Sequence, residues 1–190
     1  MNKYLLTSIL ATILLAPLSK AADYVIDTKD AHASINFKIK HLGYSWLTGR
    51  FDKFDGQFSY DPSNVSASKI EVNIDTSSVS SNHAERDKHL KTGDFLEVDK
   101  FATAKFVSSS IADKGNNQLE VKGILTLHGI SKEITIDAEK IGEGKDPWGG
   151  YRVGFGGTTT IGLKDFGIKM NLGPASTHVQ LDLFIEGVKK

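Results

Sequence analysis

The chain contains no cysteine, and its 190 residues include only four prolines and two tryptophans. Without cysteine there is no disulfide framework, no thiolate metal site, no cysteine nucleophile and no thiol for lipid attachment. Charge of one sign is missing as well, since 23 basic residues balance 23 acidic ones. That balance gives no electrostatic reason to expect nucleic acid or an anionic membrane surface as a partner. Long apolar runs are scarce. Residues 5–15 are apolar apart from Thr7, Ser8 and Thr12, too short for a membrane span of roughly 20 residues. Lys3 precedes this run and Ser19-Lys20-Ala21 follows it, the pattern of a secretory signal peptide over residues 1–21. The expected mature chain, 22–190, is one domain without an integral membrane segment, located in the periplasm. Removing Lys3 and Lys20 leaves 21 basic against 23 acidic residues, a formal charge of −2.

What the chain does have is period-two alternation. Ala33, Ile35, Phe37 and Ile39 alternate with Ser34, Asn36, Lys38 and Lys40, which describes a strand with one buried face. After a break at Gly43-Tyr44-Ser45-Trp46, residues 49–60 resume with Phe54, Gly56, Phe58 and Tyr60 in phase and Phe51 out of phase, so a bulge is expected near Asp52-Lys53. Residues 69–75, 101–111, 118–127, 132–141, 151–161 and 178–188 repeat the pattern, and Lys114-Gly115-Asn116-Asn117 is a hairpin signal. A short piece at 24–27 completes a count of eight long strands and one short one. Such strands form either a sandwich or a closed barrel. Their length favours an antiparallel barrel, because about ten residues at 3.3 Å each reach roughly 33 Å. Gly56, Gly123 and Gly157 fall on inner faces, which suggests an incompletely filled interior.

One stretch breaks the pattern. From Ala84 the run Glu85-Arg86-Asp87-Lys88-His89-Leu90-Lys91 consists of good helix formers, and Gly93 follows where a helix would stop. It reads either as a solvated connecting helix or as a charged lid on an apolar β-structure. Arg86 or Lys88 would then meet a phosphate or carbonyl head group, with His41, His89 or Trp46 nearby.

No constellation marks an enzyme. His83 and His89 are six apart and point about 120° from one another on a helix; H-E-x-x-H, P-loop, G-x-S-x-G and dinucleotide-binding patterns are all missing. No metal or cofactor is expected. An apolar interior with a few polar groups at its mouth describes instead a lipophilic binding site. The inward phase assigns its lining to Ile35, Phe37, Ile39, Phe54, Phe58, Leu125, Val153, Phe155, Leu181 and Leu183.

Five stretches carry a resemblance: His41-Leu42-Gly43-Tyr44-Ser45-Trp46; residues 82–90 with Asp94-Phe95-Leu96; Gly123-Ile124-Leu125-Thr126-Leu127-His128-Gly129; Asp146-Pro147-Trp148-Gly149-Gly150; and Leu172-Gly173-Pro174-Ala175-Ser176. With them the chain resembles the YceI-like family of periplasmic polyisoprenoid-binding proteins. The resemblance implies an extended lipocalin-like barrel, all-β with eight antiparallel strands and one short charged helix. Its lumen would take a long isoprenoid chain of the quinone or polyprenyl-phosphate type. Binding rather than catalysis is implied, and homodimers are possible. Carrying the family's polar contacts onto this chain places the head group at His41, Trp46, Arg86 and His89. Two alternatives stay open: a lipid-modifying hydrolase or isomerase using His41 or His89 as base, and a ligand-free, stress-related interaction module with a solid core.

Overall fold

The structure is a computed structural model and describes residues 21–190; the expected signal peptide lies outside them except for its last residue. Strand β1 (Ala22–Ile26) is followed by β2 (Ser34–His41), β3 (Ser45–Phe51), β4 (Phe54–Tyr60), β5 (Lys69–Asp75) and the two-residue β6 (Val79–Ser80). Helix α1 (Ala84–Leu90) comes next, then β7 (Thr103–Gly115), β8 (Gln118–Leu127), β9 (Ile130–Lys145), β10 (Tyr151–Gly162) and β11 (His178–Lys189).

The sheet closes on itself. Hydrogen-bonded neighbours run β1-β4-β5-β7-β8-β9-β10-β11, and β11 pairs back onto β1. All of these pairings are antiparallel, so the ring is the eight-stranded barrel that the strand count anticipated. Strands β1 and β2 lie one after the other along β11. Gly187 and Val188 pair with β1, whereas residues 179–184 pair with β2. The β2–β3 hairpin extends the wall at one end, with β6 on its edge. In place of the one bulged strand expected over 49–60, the chain ends β3 at Phe51 and begins β4 at Phe54 with different partners, and β3 starts at Ser45, inside the expected break. Closure leaves the main ring no free edge, which is how such barrels avoid edge-to-edge association.

Turn chemistry follows the sequence. Asn116 and Asn117 join β7 to β8 with φ of 53° and 64°, the left-handed pair that a type I′ hairpin turn requires. The ninth strand departs from expectation. Instead of ending at Ile141 it runs to Lys145, and a register shift opposite Gly154 and Phe155 leaves Ile141 as an extra residue. Ile141 lies on the outer face, 65% exposed, and the extra residue brings Glu143 rather than Gly142 opposite Val153. Glycines at 142 and 144 hide the rest of this strand from an alternation reading.

Two apolar cores result. The larger fills the barrel, with Tyr24, Ile26, Phe58, Val121 and Val153 among its buried members. The smaller gathers Val79, Phe95, Leu96 and Ile168 beneath α1 and the 3-10 turn at Leu163–Phe166. Phe51 and Leu127 pack against both, so the second cluster plugs one end of the barrel.

The inner-face glycines do not open the interior in the expected way. A Cβ at Gly123 would lie 2.5 Å from Phe106 Cζ, and one at Gly56 would lie 2.7 Å from Ile26 Cδ1. Neighbouring side chains already occupy the space above these two residues. Gly157 is less crowded, with Ile136 Cγ2 at 3.1 Å, and it does face open space.

Candidate ligand-binding lumen

Inside the barrel lies a cavity of about 130 Å³. Every strand of the ring, together with β2, lends it side chains, chiefly Ile, Leu, Val and Phe. Of its hydroxyls, Thr159 Oγ1 donates to the Thr135 carbonyl at 2.7 Å and Ser68 Oγ accepts from the Asp61 amide at 3.4 Å, while Ser59 and Tyr60 add two more at the end of β4. The wall is chiefly apolar, and among the described residues no lining side chain holds a fully buried nitrogen or oxygen without a partner.

Six of the ten residues expected to line the lumen do face it: Ile35, Phe58, Leu125, Phe155, Leu181 and Leu183. The other four keep the inward phase but do not line the cavity. Val153 is 1% exposed within the core, and Phe54 packs at its margin. Phe37 joins the second cluster, its ring over Gly49 and 6.0 Å from that of Phe51. Ile39 belongs to neither cluster. Both lie on β2 beyond Ile35, toward the β2–β3 hairpin, where the alternation leads Phe37 to the plug and Ile39 away from the lumen.

The residues expected at the head group are elsewhere too. None of His41, Trp46, Arg86 and His89 lines the cavity. Arg86 donates from Nε to Ser81 Oγ at 2.7 Å and from Nη2 to the Ser81 carbonyl at 2.5 Å. Asp87 in turn accepts from the Ser81 amide at 2.8 Å and from its hydroxyl. These bonds tie α1 to β6, and Leu90, Phe95 and Leu96 press the segment onto the second cluster. His83 caps the helix, its Nδ1 accepting from the Arg86 amide at 3.2 Å. His89 Nε2 pairs with Asp94 at 2.8 Å, and its ring stands edge-on to Phe95 at 5.1 Å. His41 and Trp46 are exposed on the β2–β3 hairpin, where the Lys38 and Lys40 ammonium groups each lie 5.7 Å from the Trp46 ring. The helix thus covers the plug, not the lumen.

At the other end of the barrel the inward-facing positions turn polar. Tyr24 and Tyr60 continue the phase of Ile26 and Phe58, Tyr151 that of Val153, and Lys140 that of Ala138. Tyr24 stacks on Phe58 at 5.0 Å, and Tyr60 meets Phe155 edge-on at 5.2 Å. The Lys140 ammonium donates to Glu143 at 2.9 Å and lies 5.8 Å from the centre of the Tyr60 ring. Lys189 sits 5.7 Å above Tyr151 at the rim. The Glu143 carboxylate raises the Lys140 pKa above its ordinary value, against the opposing effect of burial. Burial raises that of Tyr24, and the charge of Glu143 adds to it. The sequence reading placed only Tyr60 in phase; a polar residue one step beyond the last apolar inward position was the available signal for Tyr151 and Lys140.

Outside the barrel, Arg152 gathers three carboxylates. Its Nη1 lies 2.5 Å from Asp27 Oδ2 and 2.6 Å from Glu186 Oε1, and its Nε lies 3.0 Å from Asp146 Oδ2. His32 Nδ1 completes the group at 3.0 Å from Asp27. Burial pushes the Asp27 carboxyl up, but hydrogen bonds from Arg152, His32 and the Asp30 amide outweigh it and bring the pKa down to about 2. Asp27, His32 and Glu186 are close enough together to ligate a cation, yet the guanidinium occupies the position between the two carboxylates. The cluster clasps the 27–33 connection and the 146–150 loop to the barrel wall.

An eight-stranded antiparallel barrel with an apolar lumen, plugged at one end and rimmed by polar side chains at the other, defines a lipocalin-like protein. The chain belongs to the YceI-like family, whose domain model matches residues 24–187. A UPF0312 protein of Shewanella denitrificans is 61% identical over 191 residues, with the whole of both chains covered. Among solved structures, a Campylobacter jejuni YCEI protein shares 30% identity and a TM-score of 0.71, over 80% of this chain and 90% of that one. Burkholderia cenocepacia BcnA has the same fold, with a TM-score of 0.76 at 22% identity over 85% and 98% of the two chains. So does a protein described as a polyisoprenoid binding domain from Saccharophagus degradans implicated in plant cell wall breakdown, with a TM-score of 0.65 at 17% identity over 90% and 100%.

Proposed function

We propose that this protein binds a long polyisoprenoid lipid, with the tail in the barrel lumen, and carries or sequesters that lipid in the periplasm. The observation that supports it most directly is the lumen itself, lined chiefly by Ile, Leu, Val and Phe side chains. Each buried CH₂ contributes roughly 0.8 kcal/mol, so a prenyl tail is held without any strong polar contact. The empty cavity of about 130 Å³ is below the ~300–1,000 Å³ of ordinary ligand pockets. Loading therefore widens it, through rotamer changes in the Ile and Leu side chains of the wall. The polyisoprenoid binding described for the Saccharophagus protein agrees with this reading.

Binding is favoured over catalysis because the two histidines suggested as bases stand away from the lumen, His41 in solvent and His89 on Asp94. A solid interaction module fits less well, since the core is not solid. No helix of the described residues is long and apolar enough to cross a membrane, and the reading asks for none. Native mass spectrometry of the mature protein taken from the periplasm, followed by solvent extraction and mass analysis, tests the proposal. A stoichiometric prenyl lipid is expected. Repeated recovery of apo protein that also fails to bind added prenyl chains would refute it.

A further inference from the structure

The sequence offered α1 and the β2–β3 hairpin as the place for a head group, but both flank the plugged end. The opposite end is built differently. Tyr24 and Tyr60 are 3% and 7% exposed and pack on Phe58 and Phe155, two rings of the lumen wall. A chain lying in the lumen would leave it past these rings. Beyond them stands Lys140, its side chain 21% exposed, paired with Glu143 at 23%. An ammonium has three donors, and with Glu143 and Tyr60 as its partners one remains for a ligand. The pair is neutral as a unit, and a second anion at Lys140 would sit against the Glu143 carboxylate. The flat faces of Tyr60 and Tyr24 favour a head group without charge.

The geometry points to a head-group site at Lys140, Glu143, Tyr24 and Tyr60 that takes an uncharged group bearing a hydrogen-bond-accepting oxygen and discriminates against phosphate. This rests on the reading that the lumen holds a prenyl tail. The lysine donates to the acceptor oxygen, and the glutamate orients the ammonium and repels anions. Like-charge exclusion at a buried rim is the means by which a site rejects a competitor that its apolar part cannot tell apart.

Three probes with one tail separate the contributions: geranylgeranylacetone, a neutral ketone; geranylgeranyl monophosphate; and the corresponding tetraene hydrocarbon without a head group. Binding to the mature protein is measured by calorimetry. The ketone is expected to bind about tenfold more tightly than the phosphate, because both accept from Lys140 but the phosphate also meets the Glu143 carboxylate. Lys140→Met should weaken the ketone about tenfold and leave the hydrocarbon within about twofold. Glu143→Gln should do the reverse for the anion, tightening the phosphate about tenfold, a gain that no loss of folding can imitate. Arg86→Met and His89→Gln should change none of the three. Unchanged ketone binding in Lys140→Met, no gain of phosphate in Glu143→Gln, or loss of ketone binding in the helix variants would each overturn the assignment. Those results leave the hydrocarbon bound. If the hydrocarbon fails to bind the unaltered protein, the lipid-binding reading fails first and the head-group site with it.

Discussion

Replacing Gly123 by alanine tests whether the inner-face glycines are seats for neighbouring side chains. The substitution has two opposing effects. Alanine reduces the freedom of the unfolded chain, which favours folding by about 0.4–1 kcal/mol where the backbone permits it. Gly123 is not among the residues with positive φ, so the backbone does permit it. Against this, the new methyl would lie 2.5 Å from both Phe106 Cζ and the Val107 carbonyl oxygen. One of these contacts is with backbone and cannot be relieved by a rotamer change. Forcing a methyl into such a site costs about 1–3 kcal/mol, and the backbone contact places it in the upper half, about 2–3 kcal/mol, leaving a net loss of about 1–2.6 kcal/mol, or about 2–10 °C in melting temperature for a domain of this size. Gly142 is the control, since a Cβ there meets nothing within 4 Å; Gly142→Ala should be neutral or slightly stabilising. Urea unfolding of the two variants beside wild type reads the difference. The double variant Gly123→Ala/Phe106→Leu should recover part of the loss, because the two changes share a contact. Because Phe106 lines the cavity, displacing its ring should also weaken binding of a prenyl chain. A Gly123→Ala protein as stable as wild type would refute the reasoning.

Leu125 is 5% exposed and faces the cavity, so Leu125→Ala should cost about 2–3 kcal/mol in urea unfolding; a loss under about 0.5 kcal/mol would mean the lumen wall collapses around it. The Asp27 carboxyl titrates at about 2 in the folded chain against an ordinary 3.8. The unfolded state therefore binds more protons near pH 3, and stability should be full above about pH 4 and fall as pH drops through about 2. Asp27→Asn should flatten that part of the urea-midpoint profile; an unchanged slope would contradict the clasp. Arg86→Met should increase amide exchange in α1, where its bonds to Ser81 are lost, while exchange in β8 and β9 stays the same.

Local alternation was enough to find eight strands, their buried faces, an irregularity at Asp52-Lys53, the turn at Asn116-Asn117 and the short helix, though not that the chain changes partners at Asp52-Lys53. These features depend on neighbours within a few residues, and a period of two or a left-handed turn leaves its mark directly in residue type. The bulge at Ile141 escaped because its flanking glycines carry no face. Which inward residues meet the lumen was not a local matter either. Phe37 and Leu181 pair across β2 and β11 and look alike in sequence, yet one reaches the plug and the other the cavity. The difference arises from segments near residues 79–101 and 163–172 that fold over one end of the ring. The same closure decided which end stays polar and kept α1 away from the lumen, because Arg86, Ser81 and Asp87 bind one another. The chain by itself determined strands and faces; only ring closure and its plug, made by contacts distant in sequence, determined where a ligand can enter.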